Sequence, residues 1–437
     1  MREYMNPILL PADQIFWSLK KIGESRKLHS SIQANVVVIG GGMAGLAAAQ
    51  SFQEKGLSVV LLEKYHCGSG ASGKSSGFIT PDSELDLNYF KKVFGCDNAK
   101  KLWEFAIDGV AFIERNIKRH HLVCDYQVQD TLVVANSRHA FGELEQEYQT
   151  RQELNYPSTL YNQETLVSAL GGDHYFGGIR YGGTFGINAY LYCQLMKEVL
   201  LQQGIQVYED SPVLSIDGHT VSTNHGQVTA DYIVVCADRF IPDLGKLTQE
   251  IYHAQTFLMM SESLNDKDIA TIFPDQPLMV WDTDLIYTYF RLMGDGRMLL
   301  GGANIINTYE RNPRHNATSM AKKLTSYFKY KFPQVSVNFD YMWPGLIGIS
   351  KDIMPIAGRD IEQPYIYYVS AATGLHWAAA LGKYSAEHMI DGRRDLDEFF
   401  SPQRSFPLGG LAQKLLGTPI TFALANGMSM FFPRKKV

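Results

Sequence analysis

The chain has 437 residues, enough for two or three structural units and a large buried core. Hydrophobic residues make up 45% and charged residues 19%, the balance of an ordinary globular enzyme and not of a disordered chain. Lys+Arg 40 against Asp+Glu 45 leaves a net charge of −5, which argues against a nucleic-acid partner, since such proteins carry a basic surplus or stripe.

Residues 1–33 read as an N-terminal extension, with a short amphipathic helix opening at Trp17 to Lys21. No charged stretch followed by an apolar core marks a secretory signal. The organised chain starts at Asn35 to Ile39, an unbroken apolar run of the kind that forms a buried parallel strand. A glycine-rich turn follows, then a helix from Leu46 that Gly56 caps, then a second buried strand over Ser58 to Glu63. Lys101 to Lys118 and Tyr190 to Gln203 read as helices. Thr131 to Val134, Ile205 to Tyr208 and Asp231 to Cys236 read as strands. From Ile251 to Ile349 the pattern suggests short strands alternating with turns, and a last helix runs from Thr373-Gly374 to about Ile390. Nucleotide-binding strands therefore fall at the front, middle and end of the chain. The stretches between them must build a second lobe, with a ligand between the lobes. Cys67, Cys96, Cys124, Cys193 and Cys236 form no close pair and read as buried thiols in a reducing, cytoplasmic setting.

Gly40, Gly42 and Gly45 satisfy G-x-G-x-x-G. The first glycine permits the tight turn, the second lets the backbone approach a pyrophosphate, and the third lets helix pack on strand. The helix start then offers free N–H groups and a positive dipole end to phosphates. Glu63 lies 21 residues past Gly42, where a carboxylate accepts bonds from a ribose diol and repels a 2′-phosphate. Gly68 to Ser75 also fits the phosphate-cradling G-x-x-x-x-G-K-S loop, but Ser76-Gly77-Phe78-Ile79-Thr80-Pro81 is poor helix material, so this second motif is expected not to bind a triphosphate. His120-His121 has no acidic or cysteine partner at metal spacing and reads as structural; no metal is expected.

Together these residues resemble the FAD-dependent D-amino-acid oxidase superfamily, over about Asn35 to Arg393 and most like its gamma-glutamylputrescine oxidase branch. The resemblance implies an α/β fold: a Rossmann-like FAD-binding domain with an inserted antiparallel-sheet substrate domain. The FAD-binding parts are 34–85, 184–245 and 343–395; the substrate parts are 86–183 and 246–342; residues 396–437 form a tail. It also implies non-covalent FAD held at Gly40, Gly42, Met43, Ala44, Gly45, Glu63 and Lys64. A loop along the flavin ring supplies Ala71, Ser72, Gly73, Ser75, Ser76 and Gly77. Val213 and Ala237 belong to the returning FAD segment. Thr373, Gly374 and Leu375 cap the flavin pyrimidine with a helix start, whose dipole would stabilise charge near flavin N1.

Three departures from the family pattern matter. Amino-acid oxidases similar to glycine oxidase carry an arginine for the substrate carboxylate soon after a Trp-x-Gly segment; here that position is Ile347 in Trp343-Pro344-Gly345-Leu346-Ile347-Gly348. An apolar residue would leave a carboxylate unpaired, which points to an amine. No cysteine follows Cys236 to attach FAD as in sarcosine oxidases, and His376-Trp377 makes the end of the last motif bulky. The expected activity is oxidation of the C–N bond of a primary or secondary amine resembling gamma-glutamylputrescine. Hydride passes to flavin N5 and the resulting imine hydrolyses, with oxygen or a quinone taking the electrons. Rival readings are a D-amino-acid or 2-hydroxy-acid dehydrogenase of the same fold, a non-catalytic FAD-binding subunit, and an NAD-dependent dehydrogenase.

Tyr287, Tyr289 and Arg291 alternate, so in a strand they share a face. Tyr289 and Arg291 are candidates to line the substrate lobe, Arg291 for a distal carboxylate; the competing reading is a structural arginine among ordinary strand tyrosines. Trp343 either packs near the ring or fills the core. His376 is a candidate at the ring edge, and Lys351 a candidate oxygen-activating cation. Leu415 to Phe432 is an uncharged run of 18 residues followed by Arg434-Lys435-Lys436. Gly417, Pro419, Asn426 and Gly427 oppose a spanning helix. The tail reads as a peripheral membrane patch with a basic rim, or as a segment packed on the protein or on an oligomer partner.

Overall fold

The computed structural model describes residues 7–11, 15–19, 25–82, 84–284, 286–303, 309 and 317–431. Ser31–Ile39 is one nine-residue strand, beginning four residues before the apolar run that announces it. It pairs in parallel with Val59–Leu62 on one side and Gln227–Val235 on the other. Gln206–Tyr208 continues the parallel sheet beside Val59–Leu62, and Ile366–Ser370 joins it beside Gln227–Val235. Val36, Val37, Val38, Val60 and Leu61 are all fully buried because helices and strands cover both sheet faces. Helix Met43–Glu54 packs directly against helix Leu375–Ala386: a Cβ on Gly382 would lie 2.2 Å from the Ala44 carbonyl oxygen. Helix Cys96–Arg119 approaches the same element as closely, since a Cβ on Gly109 would lie 2.2 Å from the His376 carbonyl oxygen. One helix layer from three distant parts of the chain thus holds the starts of two helices in place.

The second lobe is a nine-stranded sheet in the order Ile8–Leu9, Phe339–Ser350, Ile251–Ser263, Arg297–Gly302, Tyr289–Leu292, Met279–Asp282, Thr131–Val134, Gly177–Tyr181, Thr159–Asn162. It is antiparallel except at two pairs. Ile8–Leu9 runs parallel to Tyr341–Met342, and Met279–Asp282 runs parallel to Thr131–Val134, where the two separately encoded parts of the lobe meet. The segment from Ile251 to Ile349 is only in part a series of short strands: Met279–Asp282, Tyr289–Leu292 and Arg297–Gly302 are short, with a turn at Gly294-Asp295, but its two ends are long. Ile251–Ser263 and Phe339–Ser350 pair along most of their length, and Ala317–Lys331 is a helix that buries Met320, Ala321, Leu324 and Phe328. Pro344 is tolerated inside that long strand because the edge strand beside it reaches only Tyr341 and Met342, leaving one ladder partner there.

The N-terminal stretch is integrated into this lobe. Beyond the Ile8–Leu9 strand, Trp17 packs edge-on against Trp343 with ring centroids 5.1 Å apart. Four cysteines are buried, but Cys96 at a helix start is exposed. At the other terminus, helices Gly410–Leu416 and Thr418–Phe431 fold back on the body. Phe422 and Ala425 are buried, and Asn426 Nδ2 donates to the carbonyls of Ser350 and Lys351 at 2.8 and 3.0 Å. The tail therefore packs on its own protein; Leu411, Leu415, Ile420, Leu424 and Met428 remain exposed. Among the described residues no helix is long and apolar enough to cross a membrane, and Arg434 to Lys436 lie outside those residues.

Candidate functional site

The glycine turn is dictated sterically. Gly40 has φ +107°, and a Cβ there would lie 2.5 Å from the Cys236 carbonyl oxygen. A Cβ on Gly45 would lie 1.8 Å from the Gly40 carbonyl oxygen, so only glycine allows the helix to start so close to the strand. Gly42 caps helix Met43–Glu54 with no side-chain bond of its own; the Met43 N–H instead donates to Ser72 Oγ at 2.9 Å. Glu63 accepts from the Gly41 N–H at 2.7 Å and from the Tyr65 N–H at 3.0 Å, which spans the turn with one carboxylate. Burial raises the Glu63 pKa, the two backbone bonds pulling it back.

The stretch Gly68 to Gly77 does not enter a helix but continues in turns to the short strand Phe78–Ile79. Four ties pin it. Besides Ser72, Trp17 Nε1 donates to the Gly73 carbonyl at 3.0 Å, Trp343 Nε1 to the Lys74 carbonyl at 3.4 Å, and Arg291 Nε to the Ser76 carbonyl at 2.8 Å. Arg291 Nη2 also donates to the Ile187 carbonyl at 2.6 Å.

These elements enclose a cleft of about 1640 Å³ between the lobes. Gly40, Gly42, Met43, Ala44, Glu63 and Lys64 line it, as do Ala71, Ser72, Ser75 and Ser76, Val213 and Ala237, and Thr373, Gly374 and Leu375. Gly45, Gly73 and Gly77 do not. Their task is close packing: a Cβ on Gly73 would lie 2.1 Å from the Gly68 carbonyl oxygen, and one on Gly77 1.8 Å from that of Ile187. Gly374, at φ +117°, starts helix Leu375–Ala386 without a side-chain cap, so a second helix start opens on the cleft. Two uncapped helix starts and a glycine cradle in one elongated cavity fit a dinucleotide such as FAD.

The four candidate catalytic residues separate. Tyr289 and His376 line the cleft. Arg291 and Trp343 do not; both are fully buried, Arg291 Nε and Trp343 Nε1 donate to carbonyls of the Gly68 to Gly77 stretch, and Arg291 Nη1 has no hydrogen-bond partner. Arg291 does share a strand face with Tyr289, but the loop covers it and it does not line the cleft. His376 is 1% exposed, and burial pushes its pKa down to about 3 despite the nearby Pro81 carbonyl; neither ring nitrogen has a well-formed hydrogen bond. Lys351 is buried away from the cleft, with Nζ donating to the Leu408 carbonyl at 3.2 Å. Ile347 lines the cleft, as do Ala423, Asn426 and Gly427 from the tail helix.

Sequence reasoning missed Asp238 and Glu84. Asp238, at φ +48°, accepts from the Gly348 N–H at 2.7 Å and the Ala371 N–H at 3.2 Å, stitching both late segments to the returning strand. An aspartate straight after a buried strand was the available signal. Glu84 had none.

A family model described as FAD dependent oxidoreductase matches residues 35–388. The chain belongs to that family. It is an FAD-dependent oxidoreductase, and FAD is its cofactor. Gamma-glutamylputrescine oxidoreductase of Escherichia coli is 28% identical over 399 residues, covering 90% of this chain and 92% of the relative. Probable oxidoreductase OrdL of Haemophilus influenzae is 27% identical over 400 residues, covering 89% and 90%. Among solved structures, glycine oxidase from Geobacillus kaustophilus superposes with a TM-score of 0.74 at 17% identity, covering 86% of this chain and 100% of that one. L-proline dehydrogenase from P. horikoshii gives 0.72 at 16% identity, covering 89% and 99%. At these identities the structures establish the oxidoreductase fold.

Proposed function

We propose that this oxidoreductase oxidises the C–N bond of a primary or secondary amine and does not act on α-amino acids. The observation that carries the reading is the chemistry of the cleft wall. Ile347 faces the cleft, and its cations are committed elsewhere. Arg151 is held by Asp82 and Glu147 at 2.9 and 2.6 Å. Lys64 and Arg239 lie over the Phe240 ring, and Lys74 is engaged. Glu84, Asp86, Glu143, Asp282 and Asp284 line the same cavity; burial raises the pKa of Asp86 to about 7 and pushes those of Glu84 and Asp282 up, and in their ionised forms these groups favour a cation over an anion. The likeness to gamma-glutamylputrescine oxidoreductase over nine-tenths of both chains supports an amine of that kind.

When bound, FAD supplies the hydride acceptor. The chain's own residues orient the amine and exclude water: Tyr289, Ile347 and Leu375 present carbon surface, and the neutral His376 adds no positive charge to repel the substrate. Anaerobic addition of gamma-glutamylputrescine to the yellow holoprotein should bleach the flavin band, whereas glycine and D-alanine should not. Bleaching by the amino acids alone overturns the reading.

A further inference from the structure

The proposed amine oxidation gives several carboxylates of the cleft no task, Glu84 among them. Glu84 lines the cavity between the buried Asp82 and Leu85. The Tyr287 hydroxyl donates to its Oε1 at 2.8 Å. Tyr289 and Tyr309 also lie close enough for its charge to act on their hydroxyls. The Tyr287 and Tyr289 rings stand 5.6 Å apart at 52°, and Phe78 bridges Tyr289 and Trp281 with centroid distances of 5.9 and 5.8 Å. Tyr309 is fixed from the far side by donating to Asn426 Oδ1 at 2.9 Å. No lysine, arginine or histidine pairs with Glu84 among the described residues. Burial raises its pKa, and the Tyr287 bond is the single favourable contact opposing that.

A half-buried carboxylate with three tyrosines beside it is an arrangement that can receive an ammonium group: the carboxylate supplies charge and hydrogen bonds, and the tyrosines supply hydroxyl oxygens and ring surface. We propose that Glu84, with Tyr287, Tyr289 and Tyr309, holds a second cationic nitrogen of the amine substrate, so that the substrate class is a diamine or polyamine-like chain. The inference rests on the amine reading and extends it from the reacting nitrogen to the other end of the molecule. Arg151 cannot compete for Glu84, because Asp82 and Glu147 already hold it.

The test is equilibrium binding to the protein loaded with FAD already reduced by dithionite, so that no amine is turned over, read from tryptophan fluorescence. The probes are 1,4-diaminobutane, butylamine and 4-aminobutanoate, which share a four-carbon chain and differ at the far end. The wild type should bind the diamine at least tenfold more tightly than butylamine, and 4-aminobutanoate most weakly. Glu84→Gln should bring the diamine-to-butylamine ratio close to one, and Tyr309→Leu should reduce it. Equal affinity of the wild type for diamine and butylamine overturns the proposal, whatever the variants do, and so does an undiminished ratio in Glu84→Gln. If the diamine preference holds but no amine bleaches the flavin, the subsite stands and the amine-oxidation reading fails.

Discussion

Replacing Arg291 by lysine separates a clamp from a substrate ligand. Arg291 makes two charge-assisted bonds, to the carbonyls of Ser76 and Ile187. Each is worth roughly 1.5–3 kcal/mol. Burial pushes its pKa down to about 10, so holding the charge inside costs about 3 kcal/mol. Lysine keeps the buried charge but is a single point donor that cannot reach both carbonyls. One bond is lost, and the expected destabilisation is about 2–3 kcal/mol. At roughly 1 °C per kcal/mol for a chain of this size, Tm should fall by about 2–3 °C. The Gly68 to Gly77 stretch also loses a tie, so FAD should dissociate more readily. The assay is thermal unfolding followed by flavin fluorescence, together with KM for the amine in excess FAD. KM should change less than about twofold. An unchanged Tm with a tenfold rise in KM would refute the clamp and restore the substrate role.

Gly45→Val should abolish FAD retention, since its Cβ would meet the Gly40 carbonyl oxygen at 1.8 Å; the check is the visible absorbance of the purified variant. His376 titrates at about 3 when folded and near 6.5 when unfolded, so the unfolded chain binds more protons between those values. This residue therefore leaves stability intact above about pH 6.5 and should remove about 2 kcal/mol by pH 5. Urea unfolding of wild type and His376→Gln at pH 7 and 5 measures the difference, and the variant should show the smaller loss. Asn426→Leu removes the bonds to the carbonyls of Ser350 and Lys351 and should expose the tail to limited proteolysis near Lys414, with about 1–3 kcal/mol lost.

The nucleotide half of the fold was legible because its demands fall on single positions. Only glycine tolerates the Gly40 and Gly45 geometries, and a strand buried on both faces must be uniformly apolar, as Val36 to Ile39 is. Alternation in Tyr289-Phe290-Arg291 gave the correct face for Arg291 but could not reveal that a loop two hundred residues upstream covers it. Trp343 was open between the ring and the core, and its burial fits the core reading: a tryptophan in a glycine-flanked segment looks alike whether it faces a ligand or supports a loop. The second lobe was harder, since the parallel pairing of Thr131–Val134 with Met279–Asp282 joins residues with no local pattern in common. In the tail, an uncharged run with small residues suits a membrane patch and a packed helix equally well; the buried Phe422 and Asn426 are visible only once Ser350 is placed. Glu84 acquires meaning only beside three tyrosines that lie far away in the chain.

The order in which the cleft is assembled follows from the interleaved sheet. The first strand leaves the ribosome early, yet its neighbour Gln227–Val235 comes some two hundred residues later, Ile366–Ser370 joins later still, and the cleft wall at Asn426 is made last. Early-made segments must wait for late ones, which pays loop-closure entropy before the non-local contacts form. Until Gly374 is made the glycine cradle lacks its second helix start, so the complete cleft exists only late in synthesis or after it. A stop codon that removes only the last helix would spare every glycine of the cradle and still leave one side of the substrate cavity open.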